Sequence, residues 1–365
     1  MKRIKEFISK YVPTWVIVSA IITVLSVIVH LVAVNVRGLA DFINSTVATV
    51  WRAVMALVTY VFPFSLFELI VVLALPTVVL VTVLIVRDRG GSVARVRKLF
   101  ALLGVVGIVY SSYLIIMATP YRTTPLSEHL GIVDSSDISK EELYDTILTV
   151  RDEVNLLAGE VDREGGESLM SCTLSEMSSK LVDAYDTVRE RYPFFVNIVS
   201  RAKPIMASGF MSDMGLTGIY TYYTGEANVN TEYPDYTLTF VMAHEFAHQR
   251  GINRENEANF MAFLVTTASD DPFVRYSGYL NMYEYLASAL YSLDKELYFE
   301  VRDGLDERAR DDIRASNAVT IAHQDSFMQS ISETVNNAYL QSNGTPGTVS
   351  YGYVVRLAVA YYKQK

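Results

Sequence analysis

The sequence predicts an α-helical membrane anchor of three transmembrane helices joined to an α-rich α+β domain with a small sheet. Three observations carry that expectation. Of 365 residues, 51% are apolar and 19% charged, which excludes a disordered chain. The apolar residues crowd into unbroken runs up to Ala118 and become periodic after it, so residues 1–118 read as the anchor and 119–365 as the second domain. The charges divide at the same place, with 11 basic and 4 acidic residues before Ala118 against 20 and 36 after it. An acidic domain without a Lys/Arg cluster lacks the surface that neutralises phosphates, which excludes nucleic-acid binding. The single cysteine, Cys172, excludes an intramolecular disulfide framework and a cysteine-based metal cage.

The anchor comes first. Crossing a hydrocarbon core of about 30 Å takes roughly 20 helical residues, and three stretches meet that length: Trp15–Val36, Leu69–Val86 and Leu99–Thr119. Each is apolar all round, unlike the striped helix of a soluble surface. The first has too long an apolar core for a cleaved signal peptide and reads as a retained span. His30 within it reads as an interfacial side chain. Lys2, Arg3, Lys5 and Lys10 precede the first span, and Arg87, Arg89, Arg95, Arg97 and Lys98 lie between the second and third. Only Arg37 and Arg52 occupy the loop between the first two. Basic residues stay cytoplasmic, so the expected topology is multi-pass, with a cytoplasmic N-terminus and the 87–98 loop cytoplasmic, and with three crossings everything after Ala118 is extracytoplasmic.

Next, Tyr121 to Ser135 is rich in Pro, Thr and Ser and reads as a linker or extended arm. Ser139-Lys140-Glu141-Glu142 has capping-box spacing, followed by Leu143, Ile147, Val150, Val154 and Leu157 at helical intervals. Thr173-Leu174-Ser175-Glu176 repeats the signal before Leu181, Tyr185 and Val188. Both helices are expected to pack a core. Ile219 to Thr224, β-branched and aromatic and bracketed by glycines, reads as a strand. As an exposed edge it would accept an extended peptide; an ordinary buried strand fits the same residues.

The chemistry concentrates in Ala243-His244-Glu245-Phe246-Ala247-His248-Gln249. Two histidines four apart project from one helix face, one turn above each other, at the separation two imidazoles need to share a tetrahedral Zn²⁺. Glu245 then sits beside such a metal, where a general base takes a proton from water. A catalytic zinc needs a third protein ligand. Gly251 lets the helix end, and Arg254-Glu255-Asn256-Glu257 opens another, which makes Glu255 and Glu257 the candidates. Acidic residues in a first helical turn are favoured by the helix dipole without any metal. Arg275, Tyr276, Tyr279 and His323 are the downstream candidates for a donor to the oxyanion of hydrolysis. The Asp/Glu-Arg mixture from Arg302 to Arg314 reads as a solvated helix face, within a mostly helical stretch from Ser277 onward.

His244-Glu245-x-x-His248 followed by Glu255-x-x-Ala258-Asn259 resembles the zincin metallopeptidases of the gluzincin type. The resemblance implies a zincin-like fold, Zn²⁺ as cofactor, Glu255 as the third ligand and Asn259 as the partner that orients a ligand histidine. The gap of seven residues from His248 to Glu255 is shorter than in many gluzincins. The wider chain is similar to the uncharacterised bacterial family catalogued as domain of unknown function 3810. That similarity runs through Pro63-Phe64-Ser65-Leu66, Pro125-Leu126-Ser127-Glu128, Gly218-Ile219-Tyr220, Thr224-Gly225-Glu226-Ala227, the histidine motif, Glu255-x-Glu257-Ala258-Asn259-Phe260, Tyr276-Ser277-Gly278-Tyr279-Leu280 and Ser350-Tyr351-Gly352. It implies a membrane-anchored zincin-like peptidase domain.

The expected function is therefore hydrolysis of peptide bonds outside a bacterial cytoplasmic membrane, with metal on His244, His248 and Glu255 and Glu245 as general base. The expected partners are a peptide or protein substrate and the bilayer. The alternative is a non-catalytic receptor or scaffold that uses the fold to bind a ligand or partner; retention of Glu245 argues against it. An intramembrane protease is disfavoured by Gln249, Arg250, Arg254, Glu255 and Glu257, too polar for a lipid-facing helix.

Overall fold

The computed structural model describes residues 2–133, 138–324, 326–347 and 352–364. The end of the Tyr121–Ser135 stretch and most of Ser350-Tyr351-Gly352 lie outside the described residues. The chain is mostly helical, with a small sheet, and divides into two compact units: Met1–Ala48 with Leu66–Thr123, and Thr49–Ser65 with Thr124–Lys365. The division places Thr49–Ser65 with the second unit and falls at 123 rather than 118.

The first unit holds α1 (Lys2–Tyr11), α2 (Thr14–Asn35) and α3 (Arg37–Ile43), from which a π-helical turn leads to α4 (Thr49–Tyr60) of the second unit; α5 (Leu66–Val86) and α6 (Gly91–Tyr113) complete the first. α2 and α6 pack through small residues. The Ser19 hydroxyl donates to the Gly104 carbonyl at 2.6 Å and Thr23 donates to Gly107 at 3.1 Å. A Cβ on Gly104 would lie 2.6 Å from the Trp15 ring, so glycine is what permits the approach. Among the described residues, four stretches are long and apolar enough to cross a membrane by length and composition: Thr14–Asn35, Arg37–Tyr60, Leu66–Val86 and Gly91–Arg122. The three expected spans fall in the first, third and fourth. The expected loop between the first two spans is helical instead. Ala48, Arg52, Ala56 and Thr59 recur at helical spacing as its buried stripe, a pattern of small and polar residues that does not read as apolar.

The second unit continues with α7 (Leu126–Leu130), α8 (Lys140–Leu157), the hairpin β1 (Arg163–Glu164) and β2 (Glu167–Ser168), α9 (Leu174–Arg191), β3 (Ala202–Pro204), α10 (Ser208–Asp213), β4 (Gly218–Thr221), β5 (Glu226–Val229), α11 (Asp235–Gln249), α12 (Glu255–Thr267), α13 (Pro272–Leu293), α14 (Lys295–Asp303), α15 (Glu307–His323), α16 (Phe327–Ser342) and α17 (Val354–Lys363). Both expected capping boxes form, Ser139 with Glu142 and Thr173 with Glu176. The apolar positions of α8 and α9 enter one core with α11, α12 and α13. The three-stranded sheet runs β3-β5-β4, with β3 parallel and β4 antiparallel to β5. β4 is thus an edge strand.

α4 and the turn after it lie against this sheet. Trp51 Nε1 donates to the Tyr222 carbonyl at 2.7 Å, and the Ser65 hydroxyl donates to Asn228 Oδ1 at 2.7 Å. The buried Lys203 ammonium donates to the Thr59 carbonyl at 3.0 Å and to that of Phe62. Arg52 is 1% exposed.

Three further expectations are corrected. The strand spans Gly218–Thr221 rather than Ile219–Thr224, because Gly225 at φ +67° closes a turn with its N–H donating to the Thr221 carbonyl at 2.7 Å. The expected arm from Tyr121 holds a 3₁₀ turn and α7, with Leu126 buried; Pro120 and Pro125 start helical turns there instead of extending the chain. The expected solvated face from Arg302 to Arg314 contains Asp312, which is 0% exposed. Asp312 accepts from the Ser168 N–H at 2.7 Å, Arg163 Nη2 at 3.0 Å and the Tyr276 hydroxyl at 2.5 Å, joining the β1–β2 hairpin to α13 and α15.

Candidate metal centre

α11 presents His244 and His248 from one face, and the turn after it decides what meets them. Gly251 at φ +88° reverses the chain, with the Ile252 N–H donating back to the Ala247 carbonyl at 3.1 Å. The buried Arg250 fixes this corner: its guanidinium donates to Asn197 Oδ1 at 2.8 Å, to the Ile198 carbonyl at 2.8 Å and to Ser200 Oγ at 3.0 Å, and lies 3.9 Å from the Tyr185 ring centre. Glu255, the first residue of α12, is thereby carried back to the histidines.

His244 Nε2 and His248 Nε2 are 3.0 Å apart, and Glu255 Oε2 lies 3.3 Å from the first and 3.6 Å from the second. Ligands on a tetrahedral ion with bonds of about 2.0–2.1 Å are separated by about 3.3 Å, so these three donors fit one divalent cation. Two imidazole nitrogens and one carboxylate oxygen suit an ion of the zinc class. His248 Nδ1 sits 2.9 Å from the Ile252 carbonyl, which only accepts; the ring proton therefore lies on Nδ1 and leaves the Nε2 lone pair facing the centre. Burial works against a charged His248, but the Glu255 carboxylate beside it raises its pKa to about 9. Burial likewise works against a charged Glu255, and the two histidines nevertheless hold it well below the usual carboxylate range. The Glu255 carboxylate and the His248 imidazole thus each favour the charged form of the other.

Glu245 is buried with its Oε2 lacking a hydrogen-bond partner, and burial raises its pKa above the ordinary value. The edge strand lies against it. A Cβ at Gly218 would stand 2.5 Å from Glu245 Oε1 and 2.6 Å from Val241 Cγ1, so β4 approaches α11 this closely only through glycine. Residues two apart on a strand share a face, and Tyr220 accordingly lies over His248, with ring centres 6.5 Å apart. The Tyr220 hydroxyl is buried without a partner, and burial raises its pKa while the charge of Arg52 works the other way. Tyr220 is the residue the sequence reading overlooked; strand alternation from Gly218 was the signal that pointed to it.

The other candidates lie elsewhere. Glu257 Oε1 accepts from Arg254 at 2.8 Å and from the Leu126 N–H at 3.1 Å, so its carboxylate ties α7 to α12. Asn259 is buried, but its amide nitrogen has no hydrogen-bond partner and it bonds neither histidine; His244 Nδ1 is also unpartnered. Arg275 faces Glu153 at 3.6 Å, and Tyr276 is held by Asp312 and Arg163. Tyr279 packs on Phe263, and His323 bonds Asp213 at 2.8 Å and approaches Glu232 at 3.3 Å. Among the described residues, none of these four makes a hydrogen bond or ion pair with His244, His248 or Glu255.

No curated protein and no solved structure matches the chain. The family model described as "Protein of unknown function (DUF3810)" matches residues 44–359, from the turn before α4 into α17. With the sheet, the histidine helix and the returning glutamate all inside that match, the chain belongs to the DUF3810 family.

Proposed function

We propose that this protein is a membrane-anchored zinc metallopeptidase of zincin-like fold, with His244, His248 and Glu255 as the residues that hold the ion. The observation that carries the reading is the convergence of three donor atoms, 3.0, 3.3 and 3.6 Å apart, beside a buried carboxylate oxygen that nothing else engages. When bound, zinc supplies Lewis acidity to a substrate carbonyl and to water. Glu245 Oε2 takes the proton of the attacking water and passes it to the leaving amine, a role favoured by a carboxylate whose pKa burial has raised. The unpartnered Tyr220 hydroxyl supplies a donor toward the oxyanion in place of the four downstream candidates. β4 pairs with β5 on one side, and a substrate peptide adds along its other edge, next to Glu245.

The anchor has three spans, about 15–36, 69–86 and 99–119, in a bacterial cytoplasmic membrane, with a cytoplasmic N-terminus and an extracytoplasmic second domain. The fourth apolar stretch fits that count, because α4 buries Arg52 against protein.

The test is elemental analysis of the full chain purified in detergent, together with hydrolysis of a mixed peptide library. One zinc per chain is expected, lost in His244→Ala and in Glu255→Gln and kept in Glu257→Gln. Turnover is expected in the wild type and not in Glu245→Gln. A folded chain that holds no zinc, or equal turnover in Glu245→Gln, refutes the reading in favour of a receptor or scaffold.

A further inference from the structure

We infer that a half-open cavity between α13, α14 and α15 is a second binding site, for a small ligand that presents an oxyanion on an aromatic body. The cavity measures about 660 Å³, the size of a small-molecule pocket, and none of His244, Glu245, His248 or Glu255 lines it.

Its polar groups are arranged for an anion. Tyr283 lines the cavity; it is 2% exposed, and its hydroxyl is buried behind the wall without a hydrogen-bond partner. A buried phenol ordinarily finds one, so this donor awaits an acceptor. Arg310 lines the same space. Its Nε is buried without a partner, and no carboxylate pairs with its guanidinium among the described residues. Arg302 and Arg314 stand at the wall, paired among the described residues with Asp303 and Asp311, their neighbours on the same helices. The one carboxyl in the lining, Glu284, accepts from the Tyr236 hydroxyl at 3.0 Å, and burial pushes its pKa up to about 7, which blunts its opposition to an anion. Guanidinium groups and a phenol hydroxyl donate without accepting from an oxyanion, the set that recognises carboxylate or phosphate. Tyr291 and Tyr298, edge to face at 5.0 Å, supply the wall for a ring.

The test is calorimetric titration of the full chain in detergent with phenyl phosphate, benzoate and the neutral benzyl alcohol. Saturable binding of at least one of the two anions is expected, tighter than about 1 mM, and the tighter of the two identifies the head group. Arg310→Gln is expected to weaken it about tenfold or more, and Tyr283→Phe, which removes only the hydroxyl, by several-fold. His244→Ala is expected to leave it unchanged, which separates this cavity from the metal centre. Absence of saturable binding overturns the inference, as does benzyl alcohol binding as tightly as the anions, or unchanged affinity in Arg310→Gln. Loss of binding in His244→Ala also overturns it, by placing the anion on the metal centre.

Discussion

On the proposed zinc-peptidase reading, Gly218→Ala is the substitution that separates holding a metal from using it. The added Cβ would stand 2.5 Å from Glu245 Oε1 and 2.6 Å from Val241 Cγ1. Carbon–oxygen contacts settle at about 3.3 Å or more, so the strand and the carboxylate must part by about 0.8 Å. A misplacement near 1 Å at a reacting group costs about 10²-fold in rate, equivalent to about 2.7 kcal/mol of barrier. The metal ligands are untouched, and zinc content is expected to stay at the wild-type level. Crowding of this kind is expected to lower stability by about 1–3 kcal/mol, which thermal unfolding reads separately. The assay is kcat/KM on a peptide cleaved by the wild type, measured beside zinc content for Gly218→Ala, Glu245→Gln and the double variant. Because the methyl group acts through Glu245, the double variant is expected to match Glu245→Gln, with no turnover and wild-type zinc content. Wild-type turnover in Gly218→Ala, or loss of zinc from it, would refute the reasoning.

Asp312→Ala leaves Arg163 without its buried partner and is expected to cost about 3–5 kcal/mol, lowering the unfolding midpoint by roughly 6–20 °C; a shift under about 2 °C would show that the knot contributes little. Trp51→Phe combined with Ser65→Ala removes two hydrogen bonds between α4 with its turn and the rest of the second unit, and is expected to cost about 2 kcal/mol in thermal unfolding of the full chain, with no change expected if α4 does not hold there in solution. Folding raises the Glu284 pKa from 4.5 to about 7, so its contribution to stability is full below pH 4.5 and lost as the pH climbs through 7. Glu284→Gln is expected to flatten the fall in unfolding midpoint between pH 5 and 8, a difference of at most about 3 kcal/mol; parallel pH profiles for the two proteins would count against a raised carboxyl.

The sequence announced what is local and periodic. The capping boxes at Ser139 and Thr173, the apolar faces of α8 and α9, and the stop at Gly251 followed by a helix at Glu255 are each written within a few residues, and each stands where it was expected. The four-residue spacing of His244 and His248 was equally legible. Long-range placement was not. α4 hid because its buried stripe is made of alanine, threonine and arginine, and a guanidinium buried against a distant sheet leaves no periodic trace. The strand was drawn too long because Tyr222 and Tyr223 carry β-propensity into a turn that Gly225 closes. Arg302 to Arg314 looked uniformly polar, and only the tertiary fold shows that Asp312 turns inward while Arg310 faces a cavity. The choice between Glu255 and Glu257 rested on a resemblance; the fold gives the two carboxylates different neighbours.

The lodging of α4 on the sheet also sets a timetable for biosynthesis. Ser65 and its acceptor Asn228 are 163 residues apart in the chain. At about 5–20 residues per second, a ribosome needs on the order of 10–30 s to make the second after the first, far longer than a helix takes to form. In that interval the chain also makes α5 and α6, so the strip from Thr49 to Ser65 waits, its Arg52 without the sheet that later encloses it. The second unit is thus completed across a long insertion in its own sequence, by joining an early strip of the nascent polypeptide to a sheet made much later.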